Sequence, residues 1–519
     1  MYLFNFLLML NSLALLLLSL LILFFLFSIL RKSYIIYINN NNITTPTTTY
    51  GPISYPIIGC LVSFYENRRR LLHWYTDLVL CSPTSTVVVK RLGALRTIVT
   101  ANPTNVEYIL KTNFPNFPKG ESFTEILGDL LGCGIFNMDG ELWSTQRKLA
   151  SHEFSTRSLR EFVVKTLEEE VSERLIPLLE NAAQNDTVLD LQDLLKRFAF
   201  DTICKVALGH DPCCLDTSRP VPSLFRAFDT AAEISAKRST STVALLWKMK
   251  RFFRFGSEKK LRDAIEIVHE SVSEIITKKR KLILEDENKG GGDMLSRFLM
   301  AGHDDEVVRD MVISFVMAGR DTTSAAMTWL FWLLSQNSKA EKLLLNEVNR
   351  SCSNSNNVAL NYDSLQEMSF LKACLCESMR LYPPVSWDSK HAANDDVLPD
   401  GTVVKKGDRV TYFPYGMGRL EELWGENCGE FKPERWLLED DETGRVLKAV
   451  SPFKFPVFQA GPRVCLGKEM AFTQMKYVVA SVLKRFEIRP VCLDQPVFVP
   501  LLTAHMAGGL RVSVRNRSK

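Results

Sequence analysis

Cys465 lies in a loop whose composition suits a bound cofactor. The run Phe-Gln-Ala-Gly-Pro-Arg-Val-Cys-Leu-Gly occupies residues 458–467. Glycines on both sides of the sulfur let the backbone pass close to a flat ligand, and the arginine can face an acidic group on it. The pattern rests on Phe458, Gly461, Arg463, Cys465 and Gly467. These residues predict a cofactor loop with one cysteine ligand, although an isolated cysteine is usually a small core residue.

A polar run at 319–323 interrupts the apolar segment 305–334, which has helical spacing. Glycine within a helix costs about 1 kcal/mol relative to alanine, so Gly319 should need its missing side chain. Thr322 can donate a hydrogen bond to the carbonyl four residues earlier, and the adjacent Asp321 could move protons. Taken alone, a proton relay and an ordinary polar cluster explain these residues equally well.

Two further pairs have helical spacing. Glu377 and Arg380 are three residues apart in the predicted helix 371–381, whose apolar flanks indicate burial. A buried pair needs a further partner to offset its desolvation, whereas an exposed pair does not. Trp143 and Arg147 are four residues apart and place two donors on one helical face.

The composition limits the class of protein. The chain has 519 residues, 46 % of them hydrophobic and 24 % charged, with a net charge of +4, which fits a globular protein with no nucleic-acid partner. Its twelve cysteines lack the dense spacing of a disulfide scaffold, which indicates a reducing compartment.

The N-terminal segment predicts a membrane anchor. Residues 1–30 contain no charged side chain, and about 20 apolar residues suffice to cross a bilayer. Arg31 and Lys32 follow and favour the cytosolic side. The prediction is an anchor at 1–32, a polar tether with a proline-rich hinge at 33–59, and a cytosolic catalytic domain at 60–519. A misread secretory signal is the alternative.

Most of the remaining chain has helical spacing. The segments with a helical pattern are 159–179, 189–207 and 261–284, and strands are predicted at 86–89 and 97–100. Loop compositions occupy 289–293 and 351–357. The aromatic and basic segment 237–260 fits either a helix on a bilayer surface or a solvated helix end with ordinary core aromatics.

The loop at 458–467 resembles the haem-ligand loop of the cytochrome P450 superfamily, the haem-thiolate monooxygenases. The resemblance implies a mainly α fold with small β-sheets, here behind one N-terminal transmembrane helix. It implies haem b bound through Cys465, whose thiolate would favour O–O cleavage, with Arg463 facing a propionate. It also implies that Gly319 makes room for dioxygen while Asp321 and Thr322 deliver protons.

The same resemblance assigns expected roles to other residues. Trp143 and Arg147 match a propionate-binding helix, and a third propionate contact comes from Lys390 or His391, between which the sequence does not choose. The segment 433–436 implies that Arg435 completes a structural group with Glu377 and Arg380 that supports the haem loop. Three lysines match a basic surface for a flavoprotein reductase, although a solvated face explains them equally well: Lys148, Lys468 and Lys476.

Three segments, 387–396, 415–419 and 458–465, resemble the plant fatty-acid ω-hydroxylase clan, and within it the branch that oxidises fatty acids and jasmonoyl-amino acid conjugates. The implied reaction uses NADPH, through a reductase, and dioxygen to hydroxylate the end of an aliphatic chain, at the endoplasmic reticulum membrane. The candidate substrates are jasmonoyl-isoleucine, a long-chain fatty acid or a sterol side chain. The alternatives are a haem-thiolate hydroperoxide isomerase or lyase and a non-enzymatic haem-binding membrane protein.

Overall fold

The structure is a computed structural model that describes residues 16–21, 25, 50–92, 94–241, 244–285, 292–353, 360–440 and 444–517. Most of the predicted anchor and most of the predicted tether lie outside these residues, as does part of each predicted loop at 289–293 and 351–357. Within the described ranges, no helix is long and apolar enough to cross a membrane.

The fold is mainly helical. In the first half of the described chain the helices are α1 (Leu61–Glu66), α2 (Leu71–Cys81), α3 (Pro103–Glu107), α4 (Glu121–Leu131), α5 (Gly140–Ser155), α6 (Arg157–Glu170), α7 (Ile176–Gln184), α8 (Leu191–Leu208) and α9 (Ser223–Thr240). They continue with α10 (Ala244–Phe252), α11 (Ser257–Glu285), α12 (Met294–Met300), α13 (Asp305–Gln336), α14 (Ser338–Ser353), α15 (Tyr362–Glu367), α16 (Ser369–Leu381), α17 (Pro414–Met417), α18 (Glu421–Trp424) and α19 (Lys468–Arg485).

Helix α13 forms the centre of the main core. It is buried along most of its length and packs closely against α8, α16 and α19. Asp304 caps it by accepting a hydrogen bond from the Glu306 backbone N–H, which satisfies one donor that a helix start leaves free. The long buried helix therefore gives the polar residues near its middle a fixed position.

The strands are short. They are β1 (Thr86–Val89), β2 (Thr97–Thr100), β3 (Leu189–Asp190), β4 (Asp388–His391), β5 (Asp396–Val397), β6 (Val403–Val404), β7 (Arg409–Tyr412), β8 (Leu437–Asp440), β9 (Gly444–Leu447), β10 (Phe486–Pro490), β11 (Phe498–Val499), β12 (His505–Met506) and β13 (Arg511–Asn516). The largest sheet has the order β1-β2-β7-β4, with β2 and β7 parallel and the other two pairs antiparallel. A second apolar cluster packs on this sheet.

The element predictions are confirmed with local corrections. The strand pair at 86–89 and 97–100 has the predicted bounds. The helix predicted at 159–179 contains a π-helical turn at Val171–Leu175. A helical start at residue 189 is wrong, because Leu189–Asp190 pairs with β13 and Asp190 then caps α8 through its side chain.

The basic aromatic segment 237–260 divides into two environments. Trp247 is buried beneath the Arg238 guanidinium, whose carbon lies 4.9 Å from the ring centroid. Phe252, Phe253 and Phe255 are exposed at the end of α10. The segment thus combines one core aromatic with an exposed aromatic cluster.

Candidate active site

A cavity of about 480 Å³ lies between the largest sheet, helix α13 and the loop before α19. It brings together residues that are distant in sequence. The sheet contributes Val89, Thr97, His391, Arg409 and Thr411; helix α13 contributes Phe315, Ala318, Gly319, Asp321, Thr322 and Ala326; and the loop contributes Phe458, Arg463, Cys465, Leu466 and Gly467. Trp143 and Arg147 of α5 also line it.

The loop around Cys465 is held by backbone geometry. The Cys465 N–H donates to the Phe458 carbonyl over 2.8 Å. Gly461 has a φ of 64°, and a Cβ there would lie 2.0 Å from the Leu110 carbonyl oxygen. Close packing against the neighbouring turn at Leu110 therefore requires glycine at position 461. A Cβ on Gly467 would meet only Phe154, at an ordinary 3.8 Å.

Cys465 is exposed and its side chain borders the cavity. Burial raises the pKa of the Cys465 thiol, while the Gly467 N–H, Arg147 and Lys468 each act to lower it. These groups would stabilise a thiolate once a metal withdraws the proton.

Several cations meet at the same end of the cavity. Arg463 donates to Asp139 Oδ1 over 2.7 Å and lies 4.4 Å from the Trp143 ring centroid. Arg147 donates to the Val464 carbonyl. Burial lowers the pKa of both arginines, because it removes the charged guanidinium groups from water.

The two candidates on β4 point in different directions. His391 lines the cavity, whereas Lys390 lies on the other side of the strand and its ammonium is 3.5 Å from Asp388 Oδ2. The His391 Nδ1 must donate to the Lys119 carbonyl, and its buried Nε2 lacks a hydrogen-bond partner. Burial lowers the pKa of Lys390 to about 7. The buried Lys390 Nζ also lacks a hydrogen-bond partner, but of this pair only His391 is among the residues that line the cavity.

These residues fit a haem. An accessible thiol, an unpaired buried imidazole nitrogen and two arginines that line the same cavity match an iron and its propionates. Because Nδ1 of His391 is already a donor, Nε2 can donate only when the ring is protonated, and a propionate would favour that state.

Sequence reasoning missed two residues at this end. Lys119 lines the cavity and donates to Asp388 Oδ1 over 2.7 Å, and Asp139 accepts from the backbone N–H groups of Lys119 and Gly120. Gln459 also donates to Asp388, over 3.0 Å. Strand alternation in 388–391 could have separated Lys390 from His391, but no local pattern marks Lys119 or Asp139.

The polar cluster of α13 faces the cavity. The Thr322 hydroxyl donates to the Ala318 carbonyl over 2.6 Å. A Cβ on Gly319 would lie 2.7 Å from the Ile203 side chain, so close packing against α8 also requires this glycine. Burial acts to raise the pKa of Asp321, but the adjacent Arg320 guanidinium outweighs it and the pKa falls below its ordinary value. Arg320 donates to both Asp321 oxygens, over 2.8 and 2.9 Å.

Glu377 is the centre of a buried ionic group beneath the loop. Its carboxylate accepts two bonds from Arg380, each 2.8 Å, and one from Arg435, also 2.8 Å. Trp436 Nε1 and the Lys432 N–H donate to the same carboxylate. The structure thus brings together the three residues that the sequence pattern grouped, and adds a tryptophan to them.

The three lysines grouped as a basic surface do not share one. Lys148 and Lys468 are exposed. Lys476 is buried, and its ammonium donates to the Leu365 carbonyl over 2.6 Å. Assigning Lys476 to a surface was wrong, because its position in α19 faces the core rather than solvent.

Comparisons with known proteins agree with this geometry. A family model described as Cytochrome P450 matches residues 50–503. The chain is 64 % identical to cytochrome P450 94B1 of Arabidopsis thaliana, over 90 % of this chain and 92 % of that one. It is 46 % identical to cytochrome P450 94A1 of Vicia sativa, over 90 % of each chain.

A crystal structure of the cytochrome P450DA heme domain shares the fold, with a TM-score of 0.75 at 20 % identity, over 91 % of this chain and 98 % of that one. The chain therefore belongs to the cytochrome P450 family and is a monooxygenase that uses haem b, NADPH-derived electrons and dioxygen.

Proposed function

We propose that this monooxygenase hydroxylates the terminal carbon of an aliphatic carboxylate, either jasmonoyl-isoleucine or a long-chain fatty acid. The observation that carries the proposal is the apolar lining of the cavity that Cys465 borders. Aliphatic and aromatic side chains surround the space next to the thiol: Phe123, Ile126, Phe136, Phe315, Ala326 and Leu501. The similarity to the 94B and 94A proteins adds support from sequence.

The protein groups have separable tasks in this proposal. Bound haem supplies an iron that activates dioxygen with NADPH-derived electrons. Cys465 is the protein ligand of that iron. His391, Arg463, Arg147 and Trp143 hold the propionates.

Thr322 and Asp321 manage protons. The Thr322 hydroxyl already gives its hydrogen to the Ala318 carbonyl, so its oxygen is free to accept a hydrogen bond from the cavity. The Asp321 carboxylate is held ionised by Arg320, so it takes up a proton only when that pair opens. Proton transfer to the cavity is therefore tied to the movement of one arginine.

Hydroxylation at the end of an aliphatic substrate requires the protein to control which carbon reaches the reacting centre. A terminal methyl has stronger C–H bonds than its neighbours, so the protein must present only the tip of the chain to the reacting centre. Bulky groups on α13, such as Phe315, narrow the space beside Thr322. The polar end of the substrate would then lie away from the haem.

The rival functions differ in what they need. A hydroperoxide isomerase or lyase needs no proton delivery to dioxygen, and the Asp321-Thr322 pair argues against it. A sterol hydroxylase would use the same cavity with a bulkier apolar substrate. Membership of the family argues against a non-enzymatic haem-binding protein.

The cellular setting is part of the proposal. Residues 1–32 would anchor the chain in the endoplasmic reticulum membrane, residues 33–59 would link the anchor to the domain, and the catalytic domain at 60–519 would face the cytosol. The exposed aromatic cluster of Phe252, Phe253 and Phe255 would contact lipid. Lys148 and Lys468 remain available to a flavoprotein reductase.

The test is turnover by the full-length protein with an NADPH-dependent reductase. Jasmonoyl-isoleucine, lauric acid and a sterol are compared, and the hydroxyl position is assigned by mass spectrometry. The proposal expects NADPH-dependent products hydroxylated at the chain end for at least one carboxylate. Products only from the sterol, or only at internal carbons, would contradict it.

A further inference from the structure

The sheet that borders the cavity carries a row of residues that leads away from the haem end. Strand pairing aligns His391 of β4 with Arg409 of β7, Arg409 with Thr97 of β2, and Thr97 with Val89 of β1. All four residues line the cavity. Neighbouring strands are about 4.8 Å apart, so Val89 lies about 14 Å from His391 across the sheet.

Arg91 extends this row at its far end. It follows Val89 by two positions, which in extended chain returns a side chain to the same face, and it lines the cavity as well. Its guanidinium carbon lies 4.0 Å from the centroid of the Phe64 ring. Arg91 and Arg409 thus place two cations at the sheet end of the cavity.

Neither arginine has a partner of opposite charge. Within the described part of the chain no ion pair or hydrogen bond involves either side chain, and Arg91 Nη1 and Arg409 Nε are buried without a hydrogen-bond partner. Burial lowers the pKa of Arg409, and the like charge of Arg91 lowers it further. Nearby Arg96, by contrast, is paired with Asp408.

A phenol completes the cluster. Tyr75 of α2 lines the same part of the cavity, and its pKa, raised to about 12 by burial, also responds to the charges of Arg91 and Arg409. The Tyr75 hydroxyl therefore keeps its proton and can donate it. Two guanidinium groups and one hydroxyl are the donors that suit a carboxylate.

We propose that Arg91 and Arg409, with Tyr75, bind the carboxylate of the substrate at the sheet end of the cavity. Both guanidinium groups are partly buried, and leaving their buried nitrogens without a partner costs folding free energy that an anionic ligand would recover on binding. The site gives the substrate a fixed polar end, so that its aliphatic end points toward α13. This inference rests on the proposed function and favours carboxylates over sterols.

The test compares a free acid with its methyl ester, since only the acid carries the charge. Affinities of the full-length, haem-loaded enzyme for lauric acid and methyl laurate are measured from the haem absorbance change on binding. Arg91→Gln and Arg409→Gln should each weaken binding of the acid by at least about tenfold. Affinity for the ester should not change.

Lys90→Gln is the matched control. It removes one positive charge next to Arg91, but Lys90 is exposed and does not line the cavity. It should leave both affinities unaltered. Among the described residues neither arginine has an ion pair or a side-chain hydrogen bond to lose, and Arg91 loses only its contact with the Phe64 ring, so the glutamine variants should lose little stability in thermal unfolding.

Several results would overturn the proposal. They are equal loss of acid and ester binding, no loss of either, or a native enzyme that does not prefer the acid. A fall in haem content per chain in Arg409→Gln would assign that arginine to a propionate beside His391 instead.

The position of the hydroxyl group on the products of the same enzymes distinguishes failure of this proposal from failure of the proposed function. Acid-specific loss together with hydroxylation at internal carbons would keep the carboxylate site and reject terminal attack. Terminal hydroxylation, together with equal loss of acid and ester binding in the variants, would keep the proposed function and reject the carboxylate site.

Discussion

Replacing Glu377 by glutamine should cost the protein both stability and haem. The carboxylate accepts five hydrogen bonds: three at Oε1, from Arg380, Lys432 and Arg435, and two at Oε2, from Arg380 and Trp436. A glutamine amide can keep the bonds at one oxygen position. At the other it presents N–H groups to buried donors.

The size of the effect follows from burial. The side chains of Glu377 and Arg380 are fully buried. Removing one partner of a buried ion pair costs about 3–5 kcal/mol, because the other charge stays behind without compensation. Whole domains have only about 5–15 kcal/mol of stability, so Glu377→Gln should remove a large share of it.

Two control variants separate the effect of removing a buried charge from the effect of losing a single hydrogen bond or an exposed ion pair. Glu161→Gln breaks an exposed pair with Arg157, which should cost no more than about 1 kcal/mol. Trp436→Phe removes one donor but leaves the carboxylate and both guanidinium groups paired, so its effect should be smaller than that of Glu377→Gln.

The assay is haem content per purified chain, the carbonyl absorption of thiolate-ligated haem, and the thermal unfolding midpoint. Glu377→Gln should lower all three relative to both controls. The reasoning is refuted if Glu377→Gln keeps its haem and unfolds like Glu161→Gln.

Four further predictions concern protons, haem contacts, the pH dependence of stability and topology. Thr322→Ala should bind haem and substrate but consume more NADPH per product, with release of peroxide. Thr328→Ala, elsewhere on α13, should keep the native ratio of NADPH to product. If Thr322→Ala also keeps that ratio, Thr322 has no part in the mechanism. His391→Ala should lower haem retention, whereas Lys390→Met should spare it; equal losses would contradict the geometry. Lys390→Met should also flatten the rise in stability from about pH 7 towards the ordinary lysine pKa, measured as unfolding midpoints, since the unfolded chain binds more protons there. Four Asn-x-Ser/Thr sequences begin at Asn42, Asn185, Asn349 and Asn516, and all should stay unmodified in plant or yeast cells if the domain faces the cytosol. A deglycosidase-sensitive mass shift would instead place the domain in the lumen.

Local patterns predicted the parts of the fold that local physics determines. The strands at 86–89 and 97–100 follow from their richness in β-branched residues, and the long buried helix follows from its apolar spacing. The start of α8 was misplaced, because Leu189–Asp190 pairs with a strand more than 300 positions later in the chain. No local pattern contains that partner.

The candidate site likewise combines contacts that sequence spacing predicts with contacts that only the tertiary fold creates. The spacing of Glu377 and Arg380 anticipated their contact, yet Trp436 joined them only through tertiary packing. Lys119 entered the cavity because a loop meets β4, which no spacing in the sequence expresses. The packing of Gly461 against the Leu110 carbonyl likewise depends on a segment some 350 positions earlier.

The central claim is tested most directly by where oxygen from dioxygen ends up. The full-length protein, with reductase and NADPH, is given jasmonoyl-isoleucine or lauric acid under isotopically labelled dioxygen, and the products are fragmented by mass spectrometry. One labelled oxygen atom on the terminal carbon, formed only with NADPH, is the predicted result. An unlabelled product, a label confined to internal carbons, or rearrangement of an added hydroperoxide without NADPH would contradict the proposed function.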